Sequence, residues 1–196
     1  MVRIPECIDA SIRYFTKPGK RNTKKLLDIA ARRANELGIR KILVATCSGQ
    51  TAIEARKVFV TSIQVIAVTH VTGFENPNEQ ELTAANRRKL ESLRVPILTA
   101  QHAFGSVGRG IRKKLATYQV DEIMAYMLRT FGQGTKVAIE LSLMAADAGL
   151  VRTDEDIISI GGTVEGADAA LVLQPANSSS VFDLKVKEII GKPRNF

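Results

Sequence analysis

Short apolar segments alternate along the chain with longer segments in which apolar residues recur at helical spacing. The short segments are apolar at nearly every position, which is typical of strands that are buried on both faces of a sheet. The predicted strands cover residues 42–45, 63–68, 95–99, 157–160 and 169–173. The segment 182–193 (FDLKVKEIIGKP) also favours a strand.

The longer segments predict helices between these strands. The first helix is the clearest, because Leu26, Ala30 and Leu37 share one helical face and Gly38 follows as a stop signal. The segment VAIELSLMAADAG is apolar nearly all round, which predicts a buried helix. The predicted helices cover residues 23–37, 51–59, 79–93, 119–130 and 136–148.

Alternating strands and helices predict parallel strands that are joined by right-handed crossovers. The connection GGTVEGADA between the last two apolar strands is too short for a crossover helix, so the strand at 169–173 should run antiparallel. We therefore predict a single α/β domain over residues 1–196. It should have three α/β/α layers and a mostly parallel sheet of about five strands, with the last strand antiparallel.

Polar and small residues cluster directly after four of the predicted strands. Ligands of open α/β sheets bind beyond the carboxyl ends of the strands, so these four loops are predicted to meet around one pocket. Both histidines of the chain lie in these loops. The candidate binding residues there are Thr46, Cys47, Ser48, Gly49, Gln50, Thr51, His70, Thr72, Gly73, Phe74, Gln101, His102, Phe104, Gly161, Gly162 and Thr163.

The first of these loops, TCSGQT, offers hydroxyl groups without any charged side chain. Gly49 lets the backbone approach a ligand closely, and the helix predicted from Thr51 directs free N–H groups and its dipole toward the same place. This combination predicts a phosphate site. The loop lacks the lysine of a Walker A motif and the spacing of a dinucleotide fingerprint, and a simple capping turn is the alternative interpretation.

Four side chains have both a chemical and a structural interpretation. His70 could contact a ring or a phosphate or act as a base, and His102, beside Gln101 and Phe104, could stack on a flat heterocycle and hydrogen-bond to it. Each histidine could instead make one ordinary hydrogen bond. Glu140 lies in the apolar helix, where a buried carboxylate needs either a ligand or a basic partner. Cys47 could be a nucleophile, whose pKa the helix N-terminus would lower, or a small residue that fills the loop.

Composition narrows the function classes. The chain has 196 residues, two cysteines, no apolar run near the ~20 residues of a membrane span and no signal-peptide core among its first residues. We therefore expect a cytoplasmic protein without a disulfide framework, a metal site or a membrane partner. The net charge of +8 is compatible with nucleic-acid binding, but the basic residues are spread out and aromatic residues make up only 5%, which argues against it.

Several motifs resemble those of a known family. VATCSGQTA followed by IQVIAVT resembles the C-terminal domain of pyruvate kinase, in which such a loop cradles a phosphate of an allosteric sugar bisphosphate. The chain also resembles small standalone proteins, found largely in archaea, that are similar to that domain. The motifs that carry this wider resemblance are YFTKPGKRNT, THVTGF, the QH segment at residues 101–102, FGQGTKVAIELSLMAADAG, GGTVEGADAALVLQPA and FDLKVKEIIGKPR. Cys47 departs from the more polar residues common at its place.

Some members of that family hold flavin mononucleotide (FMN), so the resemblance implies FMN as cofactor and a small phosphorylated molecule as partner. It implies no particular reaction. Three alternatives stay open: a flavin-dependent oxidoreductase in which His102 or Glu140 handles protons, a regulatory domain that binds a sugar phosphate, and a nucleic-acid-binding module. The pattern also leaves open whether the final strand pairs between subunits of a homo-oligomer.

Overall fold

Seven strands form one mixed sheet in the computed structural model, which describes residues 6–196. In chain order they are β1 (Arg13–Phe15), β2 (Lys41–Ala45), β3 (Gln64–Thr69), β4 (Ile97–Thr99), β5 (Ile157–Gly161), β6 (Ala169–Gln174) and β7 (Lys185–Pro193). They lie side by side in the order β1-β7-β6-β5-β2-β3-β4. β6 is antiparallel to both of its neighbours, and every other neighbouring pair is parallel.

The predicted fold class is confirmed, but the sheet is wider than the five strands predicted. β6 is the antiparallel strand expected at 169–173, and the segment 182–193 supplies β7. β1 was not expected because its three residues, RYF, are mostly exposed and form no apolar run. β7 pairs antiparallel with β6 and therefore runs in the same direction as the remaining strands.

Helices fill the connections between the strands. They are α1 (Thr23–Leu37), α2 (Gln50–Val58), α3 (Ala84–Ser92), α4 (Val107–Leu115), α5 (Val120–Arg129) and α6 (Gln133–Asp147). The sequence pattern does not predict α4, whose segment VGRGIRKKL holds two glycines and a run of basic residues. α3 begins at Ala84 rather than at residue 79, because the Thr83 hydroxyl caps it by accepting a hydrogen bond from the Asn86 amide (3.2 Å). The described part of the chain holds no helix with the length and apolar character needed to traverse a bilayer.

Two hydrophobic cores, one on each face, enclose the sheet. In β2, Ile42 and Val44 pack into the core beneath α1 and α2, whereas Leu43 between them packs into the core beneath α6. Successive side chains of a strand point to opposite faces, so a strand covered on both sides must be apolar throughout. This explains why the central strands lack the alternation of a half-exposed sheet.

The helix α6 approaches β5 so closely that only glycine fits between them. A Cβ atom on Gly161 would overlap the carbonyl oxygen of Gly134 and would lie 2.9 Å from the amide nitrogen of Ala138. The buried hydroxyl of Ser159 donates a hydrogen bond to the carbonyl oxygen of Ala138 (2.7 Å). These contacts place the first turns of α6 against the carboxyl end of β5, at the edge where the strand exits meet.

Replacing Gly161 with alanine should destabilise the fold by about 3 kcal/mol, because the added methyl group meets rigid backbone atoms of α6. Urea unfolding followed by circular dichroism measures this change in the free energy of unfolding. Gly110→Ala is the matched control, because the position of its Cβ atom is open among the described residues and alanine favours helix. Equal effects of the two substitutions would contradict the close packing of α6 on β5.

Candidate functional site

A cleft of about 750 Å³ opens at the carboxyl edge of the sheet. It is lined by residues that follow β2, β3, β4 and β5, by the first turns of α2 and by one face of α6. Another side is closed by Thr23, the first residue of α1, and by Lys20, three residues before it. The four polar strand exits singled out in the sequence therefore surround one cavity.

Most of the candidate binding residues lie on the wall of this cleft. Those that line it are Thr46, Cys47, Ser48, Gln50, Thr51, His70, Phe74, His102, Glu140, Gly162 and Thr163. Those outside the lining are Gly49, Thr72, Gly73, Gln101, Phe104 and Gly161. Phe104 turns inward instead and joins the core beneath α6, where it is 5% exposed. Gln101, Thr72 and Gly73 are exposed in their loops.

The loop between β2 and α2 is held in one shape by its neighbours. The Thr46 amide still donates to the Val68 carbonyl oxygen (3.0 Å), so sheet pairing extends one residue beyond β2. Gly49 then adopts a φ of 96° in the left-handed region, where a Cβ atom would lie 2.6 Å from Cδ1 of Leu82. The Asn86 side-chain amide donates to the Ser48 carbonyl oxygen (2.8 Å). Gly49 therefore helps to determine the conformation of the loop, although it does not line the cleft.

Several hydrogen-bond donors beside the cleft lack an acceptor within residues 6–196. The first amides of α2 have no acceptor within the helix, and those of Gln50 and Thr51 donate to no other described residue. The buried hydroxyl oxygens of Thr46 and Thr163, which both line the cleft, also lack a partner among residues 6–196. Buried polar groups are rarely left unpaired, so an acceptor is expected to enter here.

Aromatic rings from two strand exits form a second wall. Phe74 and His102 stack with ring centroids 5.1 Å apart and planes 11° apart, and His70 lies against Phe74 at 4.1 Å. The guanidinium of Arg109 lies 4.7 Å from the Phe74 ring centroid. The Val71 amide donates to Nε2 of His102 (3.4 Å), and burial lowers the pKa of His102 to about 4. His102 is therefore a neutral ring near pH 7.

Glu140 has a basic partner within its own helix. Nζ of Lys136 donates to its carboxylate at 2.6 Å, and the Phe104 amide donates to the other carboxylate oxygen at 2.9 Å. Nδ1 of His102 lies 3.9 Å from Glu140. Burial lowers the pKa of Lys136, and the Glu140 charge opposes that shift. Of the two interpretations of Glu140, the ion pair is present, and both of its members line the cleft.

Cys47, His70 and Glu81 form a chain of contacts along the cleft wall. The Cys47 sulfur lies 3.6 Å from Nε2 of His70, and Nδ1 of His70 lies 2.6 Å from a carboxylate oxygen of Glu81. Burial raises the pKa of the Cys47 thiol to about 11, and the charges of Glu81, Glu165 and Glu75 add to this shift. This direction is opposite to the lowering expected from the helix N-terminus alone.

Most of the charged residues that line the cleft are not among the candidate residues that the sequence indicated. Basic side chains come from Lys20, Arg109, Arg129 and Lys136, and carboxylates come from Glu54, Glu75, Glu81, Glu140 and Glu165. Within residues 6–196 Lys20 pairs with Glu165 (3.3 Å), whereas Arg109 and Arg129 form no salt bridge. In the sequence, Glu140 is marked by its place in an apolar helix, and Lys136 is marked by its spacing, because Lys and Glu four residues apart face each other on a helix.

The family model for the pyruvate kinase alpha/beta domain matches residues 24–173. The chain belongs to this family. Among solved structures, a pyruvate kinase from Cryptosporidium parvum in complex with ADP aligns with 86% of this chain at 15% sequence identity and a TM-score of 0.37. The chain spans about a quarter of the length of that enzyme, at 24% coverage.

The segment that matches the pyruvate kinase α/β domain contains the helices α2 to α6 and the strands β2 to β5 in full. Lys20 and Thr23 are the cleft residues that lie before it. β1 and β7 lie outside the matched segment and pair with each other. The cleft is therefore built almost wholly from the part of the chain that this family shares.

His102 should make the fold sensitive to acid. Its pKa is about 4 in the folded state and about 6.5 for an unperturbed histidine, so between these pH values the unfolded chain binds a proton that the folded chain does not. Stability therefore falls as the pH falls through this window. Relative to a His102→Asn variant, the wild type should lose up to about 3 kcal/mol of unfolding free energy between about pH 7 and about pH 4.

Urea unfolding of both proteins across this pH range measures the difference. The contributions of carboxylates are common to both proteins and cancel in the comparison. Parallel stability curves for the wild type and His102→Asn would show that His102 titrates as it does in an unfolded chain.

Proposed function

We propose that this chain binds a phosphorylated small molecule, FMN, in the cleft at the carboxyl edge of the sheet. The observation that carries the proposal is the start of α2. Its first amides lack an acceptor among the described residues, and the buried hydroxyl groups of Thr46 and Thr163, which also lack a partner there, border the same cavity. A phosphate offers several strong acceptor oxygens, and a helix N-terminus favours its negative charge.

The phosphate would be held by main-chain amides at Gln50 and Thr51 and by the hydroxyl groups of Ser48, Thr51 and Thr46. The loop needs no rearrangement to present them, because Gly49 and the hydrogen bond from Asn86 already hold its shape. A preorganised site avoids the entropy cost of ordering a loop on binding. Arg109, which forms no salt bridge within residues 6–196, adds positive charge to the cleft.

The flavin ring would be accommodated by the aromatic and apolar part of the wall. The stacked rings of Phe74 and the neutral His102 line the cleft together with Val68, Leu141 and Met144. A volume of about 750 Å³ lies within the range of known small-molecule sites. When bound, the flavin would supply redox chemistry that the side chains lack, which keeps a flavin-dependent oxidoreductase as the second candidate.

Adding FMN to the apo protein should quench flavin fluorescence with a saturable curve at micromolar concentrations. Ser48→Glu should weaken FMN binding about 10- to 100-fold, because it removes a charge-assisted hydrogen bond and places a carboxylate beside the phosphate. The same variant should bind riboflavin, which has no phosphate, as the wild type does. Ser11→Glu, an exposed position outside the cleft lining, adds the same charge as a matched control.

Two results would contradict this proposal. The first is an absence of quenching at tens of micromolar wild-type protein, together with no flavin retained through purification. The second is an equal loss of FMN and riboflavin affinity in Ser48→Glu, which would mean that the loop does not hold the phosphate.

A further inference from the structure

The contacts among Cys47, His70 and Glu81 point to an activity beyond ligand binding. We propose that Cys47 is the nucleophile of an acyl-transfer site, that His70 is its general base, and that Glu81 is a positioning residue for His70. The substrate class is a carboxylic ester or thioester. The proposal does not depend on FMN binding, although it uses the same cleft.

The two hydrogen bonds of His70 define its role. A carboxylate can only accept a hydrogen bond, so Nδ1, at 2.6 Å from Glu81, carries the proton of a neutral ring. Nε2 then has its lone pair free, and this atom faces the Cys47 sulfur at 3.6 Å. A nucleophile, a base and a group that orients the base therefore occur in the order found in catalytic triads.

The same three residues place ligand atoms within 4.8 Å of one another, which raises the alternative of a metal ion. A metal ion bound by one imidazole nitrogen needs the other ligands around that nitrogen. Here Cys47 and Glu81 face different nitrogens of His70, which occupies the middle of the chain. This arrangement suits proton transfer rather than shared coordination.

Cys47 also lies where a developing negative charge could be stabilised. It is two residues before Gly49, the cap of α2, and the amides of Gln50 and Thr51 lack acceptors among the residues described. Amides at a helix N-terminus are common stabilisers of the oxyanion in acyl transfer. The thiol is partly buried and protonated at neutral pH, so it needs a base at the moment of attack.

The reaction balances without an oxidant or a metal ion. The thiol proton moves to Nε2 of His70 as sulfur attacks the carbonyl carbon, and the bond to the leaving alcohol or thiol then breaks. The leaving group takes the proton from Nε2, and a thioester remains on Cys47. Water then adds to this thioester with His70 again accepting and returning a proton, so that a carboxylic acid and the free thiol are released.

The test uses p-nitrophenyl acetate and the full chain without flavin, so its outcome is independent of FMN binding. Peptide mapping by mass spectrometry compares the acetylation rates of Cys47 and the exposed Cys7 in the same molecule. A partly buried thiol with a raised pKa and no base would react more slowly than Cys7. We expect Cys47 to react at least about 10-fold faster, with a burst of one p-nitrophenolate per chain.

Matched variants test the roles proposed for Cys47 and His70. Cys7→Ser should keep the burst and Cys47→Ser should abolish it, while His70→Gln should slow acetylation of Cys47 about 100-fold. Circular dichroism and melting curves establish that each variant is folded. Acetylation of Cys47 no faster than that of Cys7, or an unchanged burst in folded His70→Gln, would overturn the proposal. Zinc binding that is lost in Cys47→Ser, with no acetylation of Cys47, would overturn it in favour of a metal site.

The test of Glu81 needs a measurement that distinguishes positioning of His70 from a contribution to the stability of the fold. ¹⁵N NMR of the His70 ring distinguishes the two neutral tautomers, and the wild type should show the proton on Nδ1. Glu81→Gln should shift the tautomer balance and slow acetylation at least about tenfold, and Glu81→Asp should restore both in part. A tautomer balance that is unchanged in Glu81→Gln would overturn the role assigned to Glu81.

Discussion

Amide groups in the first turn of a helix have no acceptor within that helix, and in α2 this constraint falls at the edge where the parallel strands end. Parallel pairing brings the exits of β2, β3, β4 and β5 to one side, so their polar loops face the same cavity as these amides. Gly49 allows the turn because its missing side chain leaves room for Leu82 of the neighbouring loop. The position of the cleft therefore follows from strand direction and helix geometry, and the loops supply its chemistry.

The sequence predicts this edge well because its signals are local. Apolar runs mark the central strands, and parallel connectivity then brings the polar exits together. The sequence predicts the ends of the sheet poorly, because β1 is short and exposed and, among the described strands, pairs with β7 alone. Tertiary packing also decides which loop residues reach the cavity. Phe104 packs into the core instead. Glu81 lies beside His70 because of the way the connection between β3 and α3 folds, and no sequence motif indicates this contact.

The protonation states of the cleft follow from burial. His102 is kept neutral, and the Cys47 thiol is kept protonated, because the low-polarity environment disfavours their charged forms. The pairing of Lys136 with Glu140 offsets only part of this cost, because burial still lowers the pKa of Lys136. A phosphate and a tetrahedral oxyanion place similar demands on such a site, since both need neutral donors aligned before binding. One helix N-terminus can thus serve the binding of a phosphorylated ligand and the chemistry proposed for Cys47.

The claim that the amides of the β2–α2 loop hold the phosphate is tested most directly by backbone amide NMR. Titration of ¹⁵N-labelled protein with FMN should shift the amide resonances of residues 48–51 more than any others in the chain, and riboflavin should leave them nearly unchanged. The amides at the start of α5, a helix N-terminus outside the cleft lining, provide the internal reference. Unmoved resonances for residues 48–51 during saturating FMN binding would contradict the account.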